Sequence, residues 1–357
     1  MHFPAIGSAR IACALFGVAV SMLSPAFARE KTDIIVMKNG DRITGEVKKL
    51  ENGVLKVDLD YVDGTLSISW LKVARLESQA LFLVQLDDGS IFSGKVITSQ
   101  GPTPLSIEIQ PADQQPFKIE ESRVVRMTQT SESLLHRFSA NVTLGATYSK
   151  GNSATQYNIG SAADYTETRW GGNLNYSSNL ASNTGAPTTT RNQVDLAAYR
   201  LLRWQNYFYE GTAGFLQSSV QGINRQTTLG MGIGRFVKNT NLIRFTILGG
   251  LGWQRTNYVP EVSIQRTQDT AVGLISSNLE VFSFKKTRLK VYGTLAPALT
   301  QHGRLFSRLN ATYYLSVFGK VDWNFSFYGS WDTQPPAHLP SSDYGTSTGL
   351  SYTFGNR

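Results

Sequence analysis

From residue 134 onward the chain consists of segments of about ten residues in which apolar side chains alternate with small or polar ones. Successive side chains of a β-strand point to opposite faces, so this alternation predicts strands with one apolar face and one polar face. Residues that favour turns separate the segments. Twelve strands are predicted, at 137–149, 154–166, 170–180, 191–202, 207–218, 225–237, 242–254, 267–281, 288–300, 305–317, 321–331 and 343–354.

Strands of this length and number predict a barrel that crosses a membrane. About ten tilted residues span an outer membrane, and single-chain bacterial barrels contain an even number of strands. Closure of the sheet pairs every backbone group, which lipid requires. We therefore predict an all-β chain whose larger part is a transmembrane antiparallel β-barrel of about 12 strands, at 134–357. A soluble β-sandwich or propeller is the alternative.

The predicted connections alternate between short and long. Short turns follow the even strands, as at 167–169 and 238–241, whereas longer loops follow several odd strands, as at 182–190 and 333–342. Bacterial barrels have short periplasmic turns and longer outer loops. This alternation places both ends of the barrel sequence at the periplasmic end.

The last strand resembles the C-terminal sorting signal of bacterial outer-membrane barrels. In residues 347–354 the polar position is Ser347, the glycine is Gly349, the hydrophobic position is Tyr352 and the final aromatic residue is Phe354. Only three residues follow. The resemblance implies an outer-membrane lipid environment, with the barrel-assembly machinery and periplasmic chaperones as partners during folding.

The first 28 residues read as a secretory signal peptide. Arg10 precedes an apolar run at 11–23, which is too short to span a bilayer comfortably, and Ala26 and Ala28 form an A-x-A cleavage pattern. An uncleaved anchor is the alternative. The single cysteine of the chain, Cys13, lies inside this segment, so a cleaved chain would contain no thiol.

Residues 29–130 contain an internal repeat of about 50 residues. Asn39-Gly40 and Asp88-Gly89 occupy equivalent places and are strong signals for two-residue hairpin turns. The pattern resembles small Sm-like and SH3-like barrels, which implies two in tandem, at 29–80 and 81–130. Trp70 and Tyr61 would then belong to the core, or to a surface that binds a periplasmic protein or peptidoglycan.

Charge is distributed unevenly between the two parts. Residues 29–132 carry about 13 basic and 16 acidic side chains, whereas the rest of the chain from 133 carries about 20 basic and 10 acidic ones. The predicted export and the lack of a basic stripe argue against nucleic-acid binding. The basic residues of the short turns, among them Lys285 and Lys286, are predicted to face lipid headgroups or to attract the acidic N-terminal part.

The alternation also assigns faces. Phe138, Val142 and Leu144 are predicted to face lipid, whereas Ser139 and Asn141 face the lumen. A charged side chain that faces lipid at mid-depth costs roughly 2–4 kcal/mol, so charges within the strands are expected to point inward. The predicted lumen charges are Asp164, Asp195, Glu210, Arg244, Glu280, Lys290 and Arg308. They would line either a water-filled pathway or a lumen filled by salt bridges.

No motif for catalysis, cofactor binding or metal binding is found. The histidines His136, His302 and His338 show no metal-ligand spacing. An outer-membrane phospholipase would need a serine and a histidine together on the lipid face, and the spacing of His302 and Ser307 argues against it. The sequence predicts a protein that is not an enzyme and has no cofactor.

Residues 134–354 resemble a bacterial family of salt-induced outer membrane proteins, a domain of unknown function. The resemblance is carried by the segment 144–153, whose tip is Gly151-Asn152, by the Tyr-, Asn- and Gly-rich strands, and by the terminal signal. It implies a location and a fold but no activity. The leading hypothesis is a narrow porin-like channel or a structural envelope protein; the alternative is a membrane-anchored adaptor whose periplasmic module binds a partner.

Overall fold

The computed structural model contains an N-terminal β-module and a closed β-barrel. It describes residues 32–62, 64–98, 106–111, 115–129, 138–149, 154–167, 169–182, 187–202, 206–259, 266–282, 287–336 and 338–354. The predicted signal peptide, with Ala26 and Ala28, lies outside the described residues, as do Lys285, Lys286 and the Gly151-Asn152 tip.

The module is built from nine strands and two short 3-10 helices. The strands are β1 (Asp33–Met37), β2 (Arg42–Glu51), β3 (Val54–Asp58), β4 (Thr65–Ser69), β5 (Val73–Leu86), β6 (Ile91–Thr98), β7 (Ser106–Pro111), β8 (Phe117–Glu120) and β9 (Val124–Gln129). The 3-10 helices, Trp70–Lys72 and Glu121–Arg123, each precede the last strand of one repeat.

The sequence repeat corresponds to a structural repeat, but the two copies share elements. The hairpins β1–β2 and β5–β6 turn at Gly40 and Gly89, whose φ angles of 93° and 86° suit glycine. The predicted boundary between residues 80 and 81 lies inside β5, which ends the first copy and begins the second. Strand β9 of the second copy also pairs with β2 of the first. The two copies therefore form one joined unit.

A single apolar core holds the module together. It contains Val47, Leu55 and Trp70 of the first copy and Phe82 and Met127 of the second, all inaccessible to solvent. Alternation along β5 directs its apolar side chains into this core from both halves of the strand. Since the buried side chains of both copies touch in one cluster, the copies stabilise each other.

The rest of the described chain forms a closed barrel of twelve antiparallel strands, which confirms the predicted fold class and strand number. The strands are β10 (Phe138–Ser149), β11 (Ala154–Thr166), β12 (Trp170–Ser182), β13 (Thr189–Leu201), β14 (Tyr207–Ser218), β15 (Ile223–Asn239), β16 (Ile243–Tyr258), β17 (Thr267–Phe282), β18 (Thr287–Pro297), β19 (Leu305–Phe318), β20 (Val321–Asp332) and β21 (Ser342–Phe354). Among the described residues, no helix is long and apolar enough to span a membrane.

The outer surface of the barrel is an apolar band between aromatic rims. Large side chains such as Leu144, Met231 and Leu251 are exposed along the middle of the strands. Exposed aromatic residues lie near both ends of the strands, as such girdles require. They include Phe138, Trp170, Trp323 and Phe354 at the end nearest the module, and Tyr157, Trp253 and Tyr344 at the opposite end.

The barrel closes through a short seam between β10 and β21. Only five residue pairs join these strands, from Ala140 and Phe354 to Leu144 and Leu350, whereas β17 and β18 share eight pairs and β16 and β17 share 15. Gly145 and Gly349 meet at the seam. A Cβ on Gly349 would lie 2.7 Å from the carbonyl oxygen of Leu144 and 3.2 Å from Cα of Gly145. The strands approach this closely because both residues lack side chains.

Candidate functional site

The inward faces of the barrel strands enclose a polar chamber of about 370 Å³. Its wall is rich in amide and hydroxyl side chains, including Asn141, Thr143, Asn310 and Ser326. Inward placement follows from the strand alternation, since each of these residues neighbours one that faces outward. The chamber can therefore hold water and small polar solutes between the two ends of the barrel.

The structure places all seven charged residues singled out in the sequence along the lumen. The chamber is lined by Asp164, Asp195, Glu210, Glu280, Lys290 and Arg308. Arg244 lines a second cavity, of about 180 Å³, at the end of the barrel nearest the module, which we name the vestibule. Four carboxylates and two basic groups face the chamber, which gives its wall a formal charge of −2.

Near the vestibule, the lumen charges form a small network of ion pairs. Arg244 and Lys290 each lie 3.6 Å from the carboxylate of Glu280, and Lys290 also lies 3.9 Å from Asp164. Register explains the arrangement, because Glu280 is the cross-strand partner of Arg244 on β16 and of Lys290 on β18. Opposite charges directly across a ladder stabilise each other.

Glu210 differs from the other lumen acids. It faces both the chamber and the vestibule, and no hydrogen bond or ion pair connects it to the described residues. By contrast, the carboxylate of Asp195 accepts a hydrogen bond of 2.5 Å from Gln193. Glu210 is thus an acidic side chain that a solute in either cavity can approach.

Two buried ion pairs that sequence analysis did not single out lie at the end of the barrel opposite the module. Arg191 contacts Asp343 at 2.6 Å, and Arg304 contacts Asp332 through two hydrogen bonds of 2.9 and 2.5 Å. The inward position of Arg191 could have been predicted from the sequence, because it lies four residues before Asp195 and so shares its inward face. The positions of Arg304 and Asp332 are harder to predict, since these residues lie at or beyond strand ends.

The loop between β20 and β21 covers this opposite end. Leu339 packs against the buried cluster of Leu216, Ile223 and Tyr258, which belong to β14, β15 and β16. Pro335, Pro336 and Pro340 of the same loop line a small cavity together with Arg308. The loop therefore reaches across the end of the barrel that also contains the ion pairs of Arg191 and Arg304.

The module covers the other end of the barrel. The vestibule is lined on one side by residues of nine consecutive barrel strands, β10 to β18. On the other side it is lined by module residues, namely Lys49, Glu51, Asn52, Arg126 and Thr128. The module is thus the wall that separates the vestibule from the space beyond the barrel.

Among the described residues, three polar contacts attach the module to the barrel, and we call this set the docking contact. The side-chain amide of Asn206 donates to the carbonyl of Asp87 at 2.6 Å, and that of Asn241 donates to the carbonyl of Val124 at 2.8 Å. Arg244 donates to the side chain of Asn52 at 3.5 Å. Two turns and one strand end of the barrel provide these donors.

Charged residues at the docking contact also link the module to the barrel. Burial opposes the ionisation of Glu51, but the positive charges around it, first of all Arg126, lower the pKa of its carboxyl to about 2. Arg126 lies 3.0 Å from this carboxylate. Arg244 of the barrel also contributes to the low pKa, so a lumen charge and the module affect each other.

Other residues singled out in the sequence have simpler roles. Trp70 is fully buried and its indole N–H donates to the carbonyl of Glu121, so it belongs to the core rather than to a binding surface. Tyr61 is 73% exposed. Lys238, near the end of β15, and Lys320, in the turn after β19, are exposed. Within the described part of the chain, no cluster of side chains suits a metal ion.

One protein family matches most of the barrel. The model of a family described as a protein of unknown function, DUF481, matches residues 142–354, which begin in β10 and end with the last residue of β21. The chain belongs to this family. The match confirms the resemblance to a domain family of unknown function, whereas induction by salt stays a prediction. The family description names no activity. No curated protein matches the chain in sequence.

The chain is similar to several solved outer-membrane barrels, all with low sequence identity. The translocator domain of the autotransporter NalP from Neisseria meningitidis is 13% identical, with a TM-score of 0.32 over 60% of this chain and 86% of that one. A porin is 8% identical, with a TM-score of 0.29 over 61% and 99% of the two chains. The β-domain of the Bordetella autotransporter BrkA is 11% identical, with a TM-score of 0.30 over 61% and 98%.

Proposed function

We propose that this protein is a narrow outer-membrane channel that prefers small cations, with its module in the periplasm. The observation that carries the proposal is the chamber wall, where four carboxylates oppose two basic groups. An excess of one sign on a chamber wall, with low-dielectric walls around it, raises the local concentration of ions of the opposite sign. Glu210, which has no partner among the described residues, is the site that a passing cation would meet.

The barrel supports the proposed location. Its apolar band and aromatic rims match a bilayer, and its short turns lie at the end that the module covers. Short turns face the periplasm in bacterial barrels, so the module would lie there too. Tyr352 and Phe354, which are 46% and 50% exposed at that end, would then be available to the assembly machinery in the way that the terminal signal implies.

The test is the reversal potential of the refolded protein in a planar bilayer with a gradient of potassium chloride. We expect discrete conductance steps and a potential of the sign that potassium preference gives. Glu210→Gln removes one negative charge from the chamber, so its preference for potassium should decrease. Asp41→Asn is the matched control, because it removes the same charge from an exposed turn of the module and should leave the potential unchanged.

Two results would contradict the proposal. A folded barrel, verified by heat-modifiable gel migration, that never conducts in its wild-type or any variant form would indicate a structural role. A wild-type channel that prefers chloride would contradict the role of the chamber carboxylates.

A further inference from the structure

We propose that the module is a movable plug, which blocks the periplasmic mouth of the barrel when docked and opens the lumen when it moves aside. This inference rests on the proposed channel function, because it concerns the regulation of the same lumen. It assigns a role to the N-terminal repeat, which lies outside the matched family region of 142–354.

The first argument is the position of the module. Its residues Glu51, Asn52 and Arg126 form one wall of the vestibule, opposite the lumen residues Glu210 and Lys290. A solute that leaves the chamber at this end meets the module first. The module therefore lies in the path of solutes that leave the chamber past β10 to β18.

The second argument is that the docking contact is polar and small. Each of the three buried apolar clusters belongs entirely to the module or entirely to the barrel, so no described apolar core joins them. The joining groups are the amides of Asn206 and Asn241 and the guanidinium of Arg244. Such hydrogen bonds exchange with water at little net cost, and polar interfaces within a chain permit relative motion.

The third argument is that the apolar core of the module includes no residue of the barrel. Its core of 18 buried residues unites both repeats, and none of these residues comes from the barrel. The module can therefore move as a unit without losing its own packing. The module then has two arrangements relative to the barrel, docked and displaced, and a gate requires two such arrangements.

A disulfide across the docking contact tests the proposal directly. A Cβ on Gly53 would lie 3.4 Å from Cβ of Asn241, close to the separation of about 3.5–4.5 Å found in disulfides. The same Cβ would lie 2.8 Å from the carbonyl oxygen of Asn241, so the two turns must shift slightly to admit it. The double variant Gly53→Cys/Asn241→Cys introduces this pair into the full chain. Gly53 has a φ of 73°, so the single variants Gly53→Cys and Asn241→Cys are the controls for strain and for the lost amide.

Potassium chloride conductance is measured in planar bilayers before and after reduction with dithiothreitol, with the cross-link verified by mass spectrometry. We expect the oxidised double variant to be silent or nearly so, the reduced form to conduct, and both single variants to be insensitive to the reductant. Equal conductance of the oxidised and reduced forms would overturn the plug while leaving the channel intact. Silence of all forms, including wild type, would overturn the channel itself and the plug with it.

A second variant tests whether weaker docking opens the channel, and it needs no cross-link. Asn206→Asp/Asn241→Asp keeps the side-chain shape but replaces both amide donors with carboxylates that face the carbonyls of Asp87 and Val124. Docking should weaken, so the fraction of time spent open should rise relative to wild type. Asn39→Asp, in the exposed β1–β2 turn, is the matched control. An unchanged or lower open fraction in the double variant would contradict the plug.

Discussion

Glu121 is a buried carboxylic acid beside the docking contact. It is 7% exposed, its Oε1 atom has no hydrogen-bond partner among the described residues, and Lys38 lies 3.9 Å from the other oxygen. Burial raises the pKa of this carboxyl to about 7, against an opposing effect of Lys38. The same 3-10 helix leads directly into Val124, whose carbonyl accepts the amide of Asn241.

The module should therefore lose stability as the pH rises from about 4.5 to about 7. Within this window folded Glu121 keeps a proton that the unfolded chain has released, so the free energy of unfolding decreases with pH. The stabilising contribution of Glu121 is complete below a pH of about 4.5 and lost above a pH of about 7. Its size is roughly 2–3 kcal/mol. Hydrogen exchange of β5 amides in the full chain, corrected for intrinsic rates, should show this loss between pH 5 and pH 8.

Glu121→Gln should flatten this dependence, because glutamine does not ionise. Glu120→Gln, at the exposed neighbouring position, is the control and should leave it unchanged. Equal protection of β5 at both pH values in the wild type would show that Glu121 is solvated in the folded chain.

Gly349 illustrates a role that residue type alone does not reveal. In the sequence it is one position of a terminal signal, whereas in the structure it permits contact with Gly145 across the seam. Its neighbours Tyr352 and Phe354 meet edge to face on the outer surface, with ring centroids 4.8 Å apart. The terminal signal identified these two aromatic residues, but it contained no information about which strand would lie opposite them.

At the scale of strands, Gly349→Ala should destabilise the seam. The added methyl group would lie 2.7 Å from the carbonyl oxygen of Leu144, so one strand must shift. Overpacking of this kind costs roughly 1–3 kcal/mol. The heat-modifiable gel shift should then occur at a lower temperature than in wild type.

Gly211→Ala is the matched control for this prediction. Gly211 also lies within a barrel strand, but a Cβ there would meet no atom within 4 Å. The unfolding temperature of the Gly211→Ala variant should equal that of the wild type or exceed it slightly. The reason is that alanine loses less conformational entropy on folding than glycine does. An equal decrease in both variants would show that the seam has no special sensitivity.

The barrel strands could be predicted because the sequence pattern that specifies each strand lies within that strand. Every strand carries its own alternation, so number, faces and approximate ends could be read from 137–354 without knowing the pairing. The sharing of β5 between two repeats was not predictable in this way, since it depends on contacts such as that of β9 with β2, which join residues far apart in sequence. The cover provided by Leu339 depends likewise on distant residues of β14 to β16.

At the scale of the whole molecule, the two faces of the barrel should respond differently to the same charge. Met231 is 74% exposed on the outer surface, and Thr212, close to it in the ladder, lines the chamber. Met231→Lys should destabilise the barrel in lipid by roughly 2–4 kcal/mol. Thr212→Lys should cost clearly less, because its ammonium group enters the polar lumen, where it should reduce the preference for potassium.

Urea unfolding in lipid bilayers measures both variants on one scale. Equal losses would mean that residues on the outer surface at this depth do not meet hydrocarbon, and the barrel would then be a soluble structure. A larger loss for Thr212→Lys than for Met231→Lys would reverse the assignment of the two faces.

The short seam also has a mechanical consequence. A closed cylinder under outward pressure opens along the line with the fewest bonds, and five residue pairs between β10 and β21 make this line the weakest of the described wall. Rupture there would split the barrel lengthwise while the eleven remaining ladders stay intact. The first and last strands would then be the two free edges of a curved sheet, so the same line that completes the barrel during folding is the line at which it would fail.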